Sequence, residues 1–163
     1  MTALFAAVRT LVFATLFFWL WVAVGLWARQ FDPMFGGPLP AWTWPLGVAA
    51  AAAGAALALT CAALFAIRGK GTPAPFDPPR TLVAFGPYRA VRNPMYIGGW
   101  LLIAGFALIA QSSSVLVLSI PWLALVHLFV VLYEEPTLTA KFGPAYDEYR
   151  RAVPRWIPKL VNW

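Results

Sequence analysis

The chain has 163 residues, of which 61% are hydrophobic and only 11% charged, and it carries a net charge of +6. That length bounds it to one domain, and no water-soluble core of that size absorbs so much apolar surface, so the composition excludes an ordinary soluble fold and points to a bilayer. The cations flank apolar runs, which makes anionic lipid headgroups their expected partners and argues against nucleic acid.

A transmembrane helix needs about 20 apolar residues. Four segments approach this: 11–28, 46–67, 94–110 and 115–133. The first lies between Arg9 and Arg29. It is long for the apolar region of a signal peptide, and no small-x-small cleavage site follows it. The second is entered through Trp42, Trp44 and Pro45. Its Ala- and Gly-rich run from Ala49 to Ala56 suits close helix contact in lipid. The single cysteine, Cys61, sits in this span as a small packing residue and rules out an internal disulfide. The third span is short, beginning at Pro94 and ending before Gln111 and three serines. The fourth contains Pro121, a predicted kink.

The expected fold is therefore an all-α integral membrane protein, with about four transmembrane helices and an interfacial C-terminal helix. Four spans place the N-terminus, the loop from Arg68 to Asn93 and the C-terminal tail on one side. Eleven of the twelve Lys and Arg residues fall there, and Arg29 alone falls opposite. By the positive-inside rule the shared side is cytoplasmic. The expected location is the bacterial inner membrane with both termini in the cytoplasm.

Two segments carry chemistry. In the stretch from Gly86 to Gly99, Asn93-Pro94 reads as a helix start, with Asn at the N-cap and Pro at the first helical position. Arg92 then stands beside free backbone N–H groups and the positive end of the helix dipole, a point receptive to an anion. Gly98 and Gly99 strip one helix face, so that a ligand or another helix can approach. An ordinary membrane-surface helix start is the plainer alternative.

The second segment is Tyr133-Glu134-Glu135-Pro136. If the fourth span stops at Pro136, two carboxylates sit at a helix C-terminus, where the dipole disfavours them by about 0.3–1 kcal/mol each. Ionisable groups at the edge of the hydrocarbon tend to be functional. His127 lies seven residues before Glu134, on the same face of a regular helix and so expected to point into the bundle. As the sole histidine it cannot build a metal site with further His or Cys ligands, and no metal is expected. A buried hydrogen-bonding role competes with a catalytic one. The tail that follows mixes basic residues with Phe, Tyr and Trp, as a segment lying on the membrane face would.

Together these segments resemble the isoprenylcysteine carboxyl methyltransferase and phospholipid N-methyltransferase superfamily. The resemblance rests on Gly86, Pro87, Tyr88, Arg89, Arg92, Pro94, Tyr96 and Gly98. It continues through Glu134, Glu135, Phe142, Gly143, Tyr146, Tyr149, Val153, Pro154 and Arg155, and covers roughly Leu82 to Pro158. Asn93 stands where the superfamily usually has histidine. Asn keeps a hydrogen-bonding side chain but cannot act as a general base.

The resemblance implies S-adenosylmethionine bound by segments 80–99 and 134–158 at the cytoplasmic ends of spans three and four. Arg92, Asn93, Pro94, Tyr96, Gly98, Glu134, Glu135, Tyr146 and Tyr149 are the expected binding residues, and Arg92, His127 and Glu134 the expected catalytic ones. The acceptor would be an amphiphile entering from the bilayer: an isoprenoid or other carboxylate, a lipid amine, or a thiol. An amine or thiol must lose a proton, to His127 or one Glu. The chain is short for the superfamily, which leaves room for a pocket completed by a second copy in a homo-oligomer. A membrane reductase using NADPH and a non-catalytic membrane subunit are the alternatives; no dinucleotide glycine fingerprint supports the former.

The charge split predicts that a cysteine placed after Trp163, in a chain with Cys61 replaced, resists labelling from outside intact cells. Ready labelling would reverse the orientation.

Overall fold

The computed structural model describes residues 3–67 and 81–158, apart from the side chains of residues 3–11, 13, 14, 17, 18 and 66. The proline-rich loop at 69–80 lies outside the described residues. So do Arg68, Lys70, Arg80, Lys159 and the side chain of Arg9, all counted in the charge split.

Among the described residues the fold is helical throughout. Helix α1 (Ala3–Ala28) leads into a 3₁₀ segment, Arg29–Phe35. Helices α2 (Thr43–Ile67), α3 (Pro94–Ile109) and α4 (Ser113–Phe129) follow, then the short α5 (Glu135–Phe142) and α6 (Pro144–Ala152). Two helices are long and apolar enough to cross a membrane, Thr43–Phe65 and Ser113–Phe142, while α3 is a shorter apolar helix. Helix α1 has 26 residues, with its side chains only partly described.

The fourth span differs from the expectation at both ends. It starts at Ser113 because Ser112 accepts the Val115 N–H at 3.3 Å and caps it. It does not stop at Pro136. A π-helical turn, Val130–Glu134, joins α4 to α5. Proline has no N–H and its ring crowds the carbonyl four residues back. A turn bonded i→i+5 relieves both constraints, so the helix runs on to Phe142. The helix also continues through Pro121.

Helices α2 and α3 pack antiparallel with their backbones almost in contact. Gly54 lies against Gly98 and Gly47 against Gly105. A Cβ on Gly54 would fall 2.7 Å from the Gly98 carbonyl oxygen, and one on Gly105 would fall 2.6 Å from the Ala51 nitrogen. The glycines recur seven residues apart on each helix, two turns, so one face of each is bare. Lipid provides little hydrophobic drive between helices, and such contact replaces it with dispersion between backbones.

One end of the bundle is closed by Asp32. Its carboxylate accepts the Ser112 hydroxyl at 2.7 Å, the Ser114 N–H at 3.0 Å and the Ser114 hydroxyl at 2.7 Å. Burial pushes this carboxyl up, but those bonds and nearby Arg29 outweigh it and hold it below the usual range. The Leu39 N–H donates to the Gln111 carbonyl at 2.8 Å at the same end. The start of α3, the Glu134–Glu135 pair and the tail gather at the opposite end.

Gly54→Ala should overpack the α2–α3 seam and destabilise by about 1–3 kcal/mol. Gly99→Ala places its Cβ 3.4 Å from the Trp122 ring, an ordinary contact. Thermal melting in detergent should therefore fall for the first variant and not the second; equal melting would remove the seam as a constraint.

Candidate active site

The loop before α3 is anchored from below. Val83 and Tyr88 are buried with Cys61, and Gly86 takes φ +56°, a left-handed turn that opens the 3₁₀ segment Gly86–Arg89. The tail closes over this loop. The Arg92 N–H donates to the Pro154 carbonyl at 2.9 Å, and the Tyr149 hydroxyl donates to the Tyr88 carbonyl at 2.7 Å. Tyr146, Tyr149 and Val153 form their own buried cluster beneath.

Asn93 occupies the N-cap position of α3 with Pro94 in the first turn, as the sequence predicts, but its side chain does not cap. Its amide Nδ2 turns to the tail and donates to the Arg155 carbonyl at 3.3 Å. The first amides of α3 are thus left without a side-chain partner, beside Arg92. The Arg92 side chain is 8% exposed; Nη2 lies 3.1 Å from Glu135 Oε1, while Nε and Nη1 have no hydrogen-bond partner.

Glu135 is the centre of the site's electrostatics. Besides Arg92 it accepts two bonds from Arg155, Nε to Oε1 at 2.7 Å and Nη2 to Oε2 at 3.0 Å. Such a bidentate pair is among the stronger charge-assisted contacts. Glu134 faces elsewhere: its Oε2 accepts the Tyr96 hydroxyl at 2.8 Å. Neighbours on a helix point about 100° apart, so one carboxylate serves the arginines and the other the first turn of α3.

Several expected placements change. The carboxylates do not end a helix, because the π turn carries it past Pro136, so a dipole penalty at a C-terminus no longer applies. The same turn breaks the regular register between His127 and Glu134. His127 is exposed and does not point into the bundle; its Nδ1 accepts the Trp156 indole N–H at 3.0 Å. Gly98 is closed to a ligand by α2, whose Gly54 oxygen would stand 2.9 Å from an added Cβ. The tail is held by Arg155, which the motif contains but to which the sequence reading gave no role. Arg150 pairs with Asp147 in an exposed i,i+3 contact. Tyr149 holds the tail to the loop, and Tyr146 lies buried near Arg92 and Glu135. Burial pushes the Tyr88, Tyr146 and Tyr149 hydroxyls above the ordinary tyrosine range. Among the described residues no three His, Cys, Asp or Glu side chains converge on one point.

The amino-acid sequence matches a family profile described as phospholipid methyltransferase over residues 42–145. That stretch is well over half of the chain, and the chain belongs to this family. Among curated proteins it is 36% identical over 73 residues to methanethiol S-methyltransferase 2 of Bradyrhizobium diazoefficiens, a stretch covering 45% of this chain and 27% of that protein. It is 34% identical over 80 residues to the cobalt-zinc-cadmium resistance protein CzcN of Cupriavidus metallidurans, covering 49% and 37%. It is 30% identical over 79 residues to the nickel-cobalt-cadmium resistance protein NccN of Alcaligenes xylosoxydans xylosoxydans, covering 48% and 37%. The aligned stretch is thus well under half of each of these proteins. No solved structure matches the chain.

Glu135→Gln should unfold the site end at lower temperature, since removing one partner of a buried ion pair costs about 3–5 kcal/mol. Arg150→Ala, at an exposed pair of about 0–1 kcal/mol, should melt like the parent; equal melting of both variants would remove Glu135 as the anchor.

Alkaline unfolding supplies a second test. Folded-state values raised above the unfolded value of about 10 mean that the tyrosines contribute stability below that pH, and lose it as pH rises through the folded values. Phenolate absorbance of Tyr88, Tyr146 and Tyr149 should therefore appear together with loss of helix signal. Ionisation in the native state at the ordinary pH would contradict their burial.

Proposed function

We infer that this chain is a membrane methyltransferase that uses S-adenosylmethionine and acts on an amphiphilic acceptor from the bilayer. The observation that carries the reading is Arg92, a guanidinium almost wholly buried with two nitrogens unpartnered. Arg92 is ion-paired with Glu135 through Nη2, but leaving the buried Nε and Nη1 without acceptors is costly, and an anionic group supplied by a ligand would satisfy them. The uncapped start of α3 favours the same sign of charge. Glu134, held by Tyr96, offers the opposite charge one helical turn along.

S-adenosylmethionine carries a carboxylate, an ammonium, ribose hydroxyls and a sulfonium, and the residues present fit that set. Arg92 and the α3 amides suit its carboxylate, Glu134 its ammonium or ribose, and the Tyr96 ring its cationic sulfur. When bound, it supplies a methyl group on a positively charged sulfur.

The protein's own share is alignment and exclusion of water. The Tyr96 hydroxyl fixes the Glu134 carboxylate. The tail from Val153 to Trp156 covers the loop and the α3 start through Pro154, Arg155 and Asn93. A carboxylate acceptor needs no base. An amine or thiol acceptor does, and the placements favour Glu134 over His127, whose Nδ1 is engaged by Trp156 away from the pair. Asn93 then serves to position the tail rather than to move protons. The relative named for methanethiol supports a thiol among the acceptors. The charge split orients this end toward the cytoplasm, where the cofactor is found.

Isothermal titration of the purified protein with S-adenosylmethionine and with NADPH tests the reading. Binding of the first and not the second is expected. Glu134→Gln keeps the shape and an acceptor for Tyr96 while removing the charge. It should weaken S-adenosylmethionine binding at least tenfold, the equivalent of about 1.5–3 kcal/mol, with little change in melting. Arg92→Ala should weaken it more than Arg89→Ala, at an exposed position. Parent-like binding by both Glu134→Gln and Arg92→Ala, or binding of NADPH alone, would overturn the assignment.

A further inference from the structure

The Arg92 guanidinium is closed off from a ligand. Its Nε and Nη1 are sealed from solvent as well as unpartnered, and the whole side chain is 8% exposed. An anion reaches those atoms only if something over them moves. Three of the surrounding parts are fixed. The loop is pinned by buried Val83 and Tyr88, α3 by its glycine seam, and Glu135 by the continuous helix Ser113–Phe142. The fourth part is the tail beyond α6.

That tail is built to move as one piece. Val153 ends α6 in extended backbone, φ −107° and ψ 125°, and is itself buried with Tyr146 and Tyr149. Beyond it, Pro154 and Pro158 each fix their own φ and restrict the residue before them to extended conformations. Residues 154–158 are thus a stiff segment hinged on a buried residue. Their contacts run in order along the segment. The Pro154 carbonyl accepts the Arg92 N–H, the Arg155 carbonyl accepts Asn93 Nδ2, and the Arg155 guanidinium holds Glu135. Outermost is Trp156, whose indole N–H donates to Nδ1 of exposed His127 at 3.0 Å. Ile157, next along, is 80% exposed. The first contacts lie over the charged site, and the last fastens the segment to α4 outside it. When the segment lifts, the Arg155 side chain, already 30% exposed, returns to water, while Arg92 keeps Glu135.

We propose that residues 154–158 are a strap that lifts to admit the ligand to Arg92 and closes over it, and that His127 and Trp156 are the positioning residues that hold it shut. The proposal rests on the reading of Arg92 as the cofactor's carboxylate site, and it adds how that site is reached. It gives His127 a part in the reaction cycle that needs no proton transfer. A bond at the far end of a stiff segment is the first to break as the segment lifts, so it sets how often the site opens. Segments with few buried contacts open locally at the least cost, and such segments gate ligand exchange elsewhere.

Amide hydrogen exchange of the full chain in phosphatidylcholine nanodiscs tests the strap without any ligand, because the Arg92 N–H is bonded to the Pro154 carbonyl. Trp156→Phe keeps a ring and removes the donor; His127→Phe removes the acceptor. Each should speed exchange at Arg92 by about fivefold, the effect of one ordinary hydrogen bond, with the Leu102 amide inside α3 and the melting temperature unchanged. The double variant should exchange no faster than either single one, since the two substitutions remove one shared bond. Release of bound S-adenosylmethionine should quicken in parallel. His127→Cys with Trp156→Cys, in a chain with Cys61 replaced and joined by a short bis-methanethiosulfonate, should suppress Arg92 exchange and slow S-adenosylmethionine uptake; dithiothreitol should restore both. Parent-like Arg92 exchange in both single variants, or parent-like cofactor uptake by the cross-linked chain, would overturn the proposal. The two readings separate cleanly. A chain that binds S-adenosylmethionine but shows no response at Arg92 loses the strap alone, and a chain whose Arg92 exchange responds but which binds no S-adenosylmethionine loses the methyltransferase reading alone.

Discussion

A carboxylate as buried as Glu135 is stable only where cations come to it, and in this chain they come from two distant stretches. Arg92 arrives from the loop before α3, and Arg155 from the tail beyond α6. Desolvating such a group costs several kcal/mol, which is recovered only with good geometry and with every lone pair matched. The loop, the start of α3 and the tail must therefore assemble on the α4–α5 rod together. The neighbouring bonds from the Arg92 amide to Pro154 and from Asn93 to Arg155 follow from that assembly.

The π turn is what makes this geometry available. A regular helix meeting Pro136 would kink or end, and both carboxylates would fray into solvent. With the turn at Val130–Glu134 the helix continues, Glu135 points to the arginines and Glu134 to Tyr96. Two chemically identical neighbours thereby acquire different partners: one is paired with two arginines, the other is held by a single phenol. His127 is rotated out of the group by the same turn and meets the Trp156 indole instead.

The start of α3 also has to be held still, and a short apolar helix does not hold itself. The glycine seam with α2 fixes its axis, and the Asp32–serine network ties the turn beyond its far end to the 3₁₀ segment after α1. Rigidity is thus supplied at one end and in the middle, while Arg92, Glu134 and Glu135 meet at the other end.

Much of this was legible in the sequence. Composition demanded a membrane, Asn93-Pro94 marked the start of α3, and the ordered motifs from Gly86 to Arg155 pointed to the family, because each is a local pattern with a local cause. The Ala- and Gly-rich run of α2 announced close packing, but not that its partner would be Gly98 and Gly105. Choosing between a ligand and a helix at a bare face needs the neighbour itself. The division between Glu134 and Glu135 was hidden, since it depends on a π turn that a 3.6-residue period does not reveal. Arg155 lay in plain view within a matched motif, yet its role required a tail twenty residues further on to fold back over the helix. Identity, spacing and hydropathy are properties of the chain in one dimension; which charge meets which, and which face stays open, is decided only when distant segments compete for the same space.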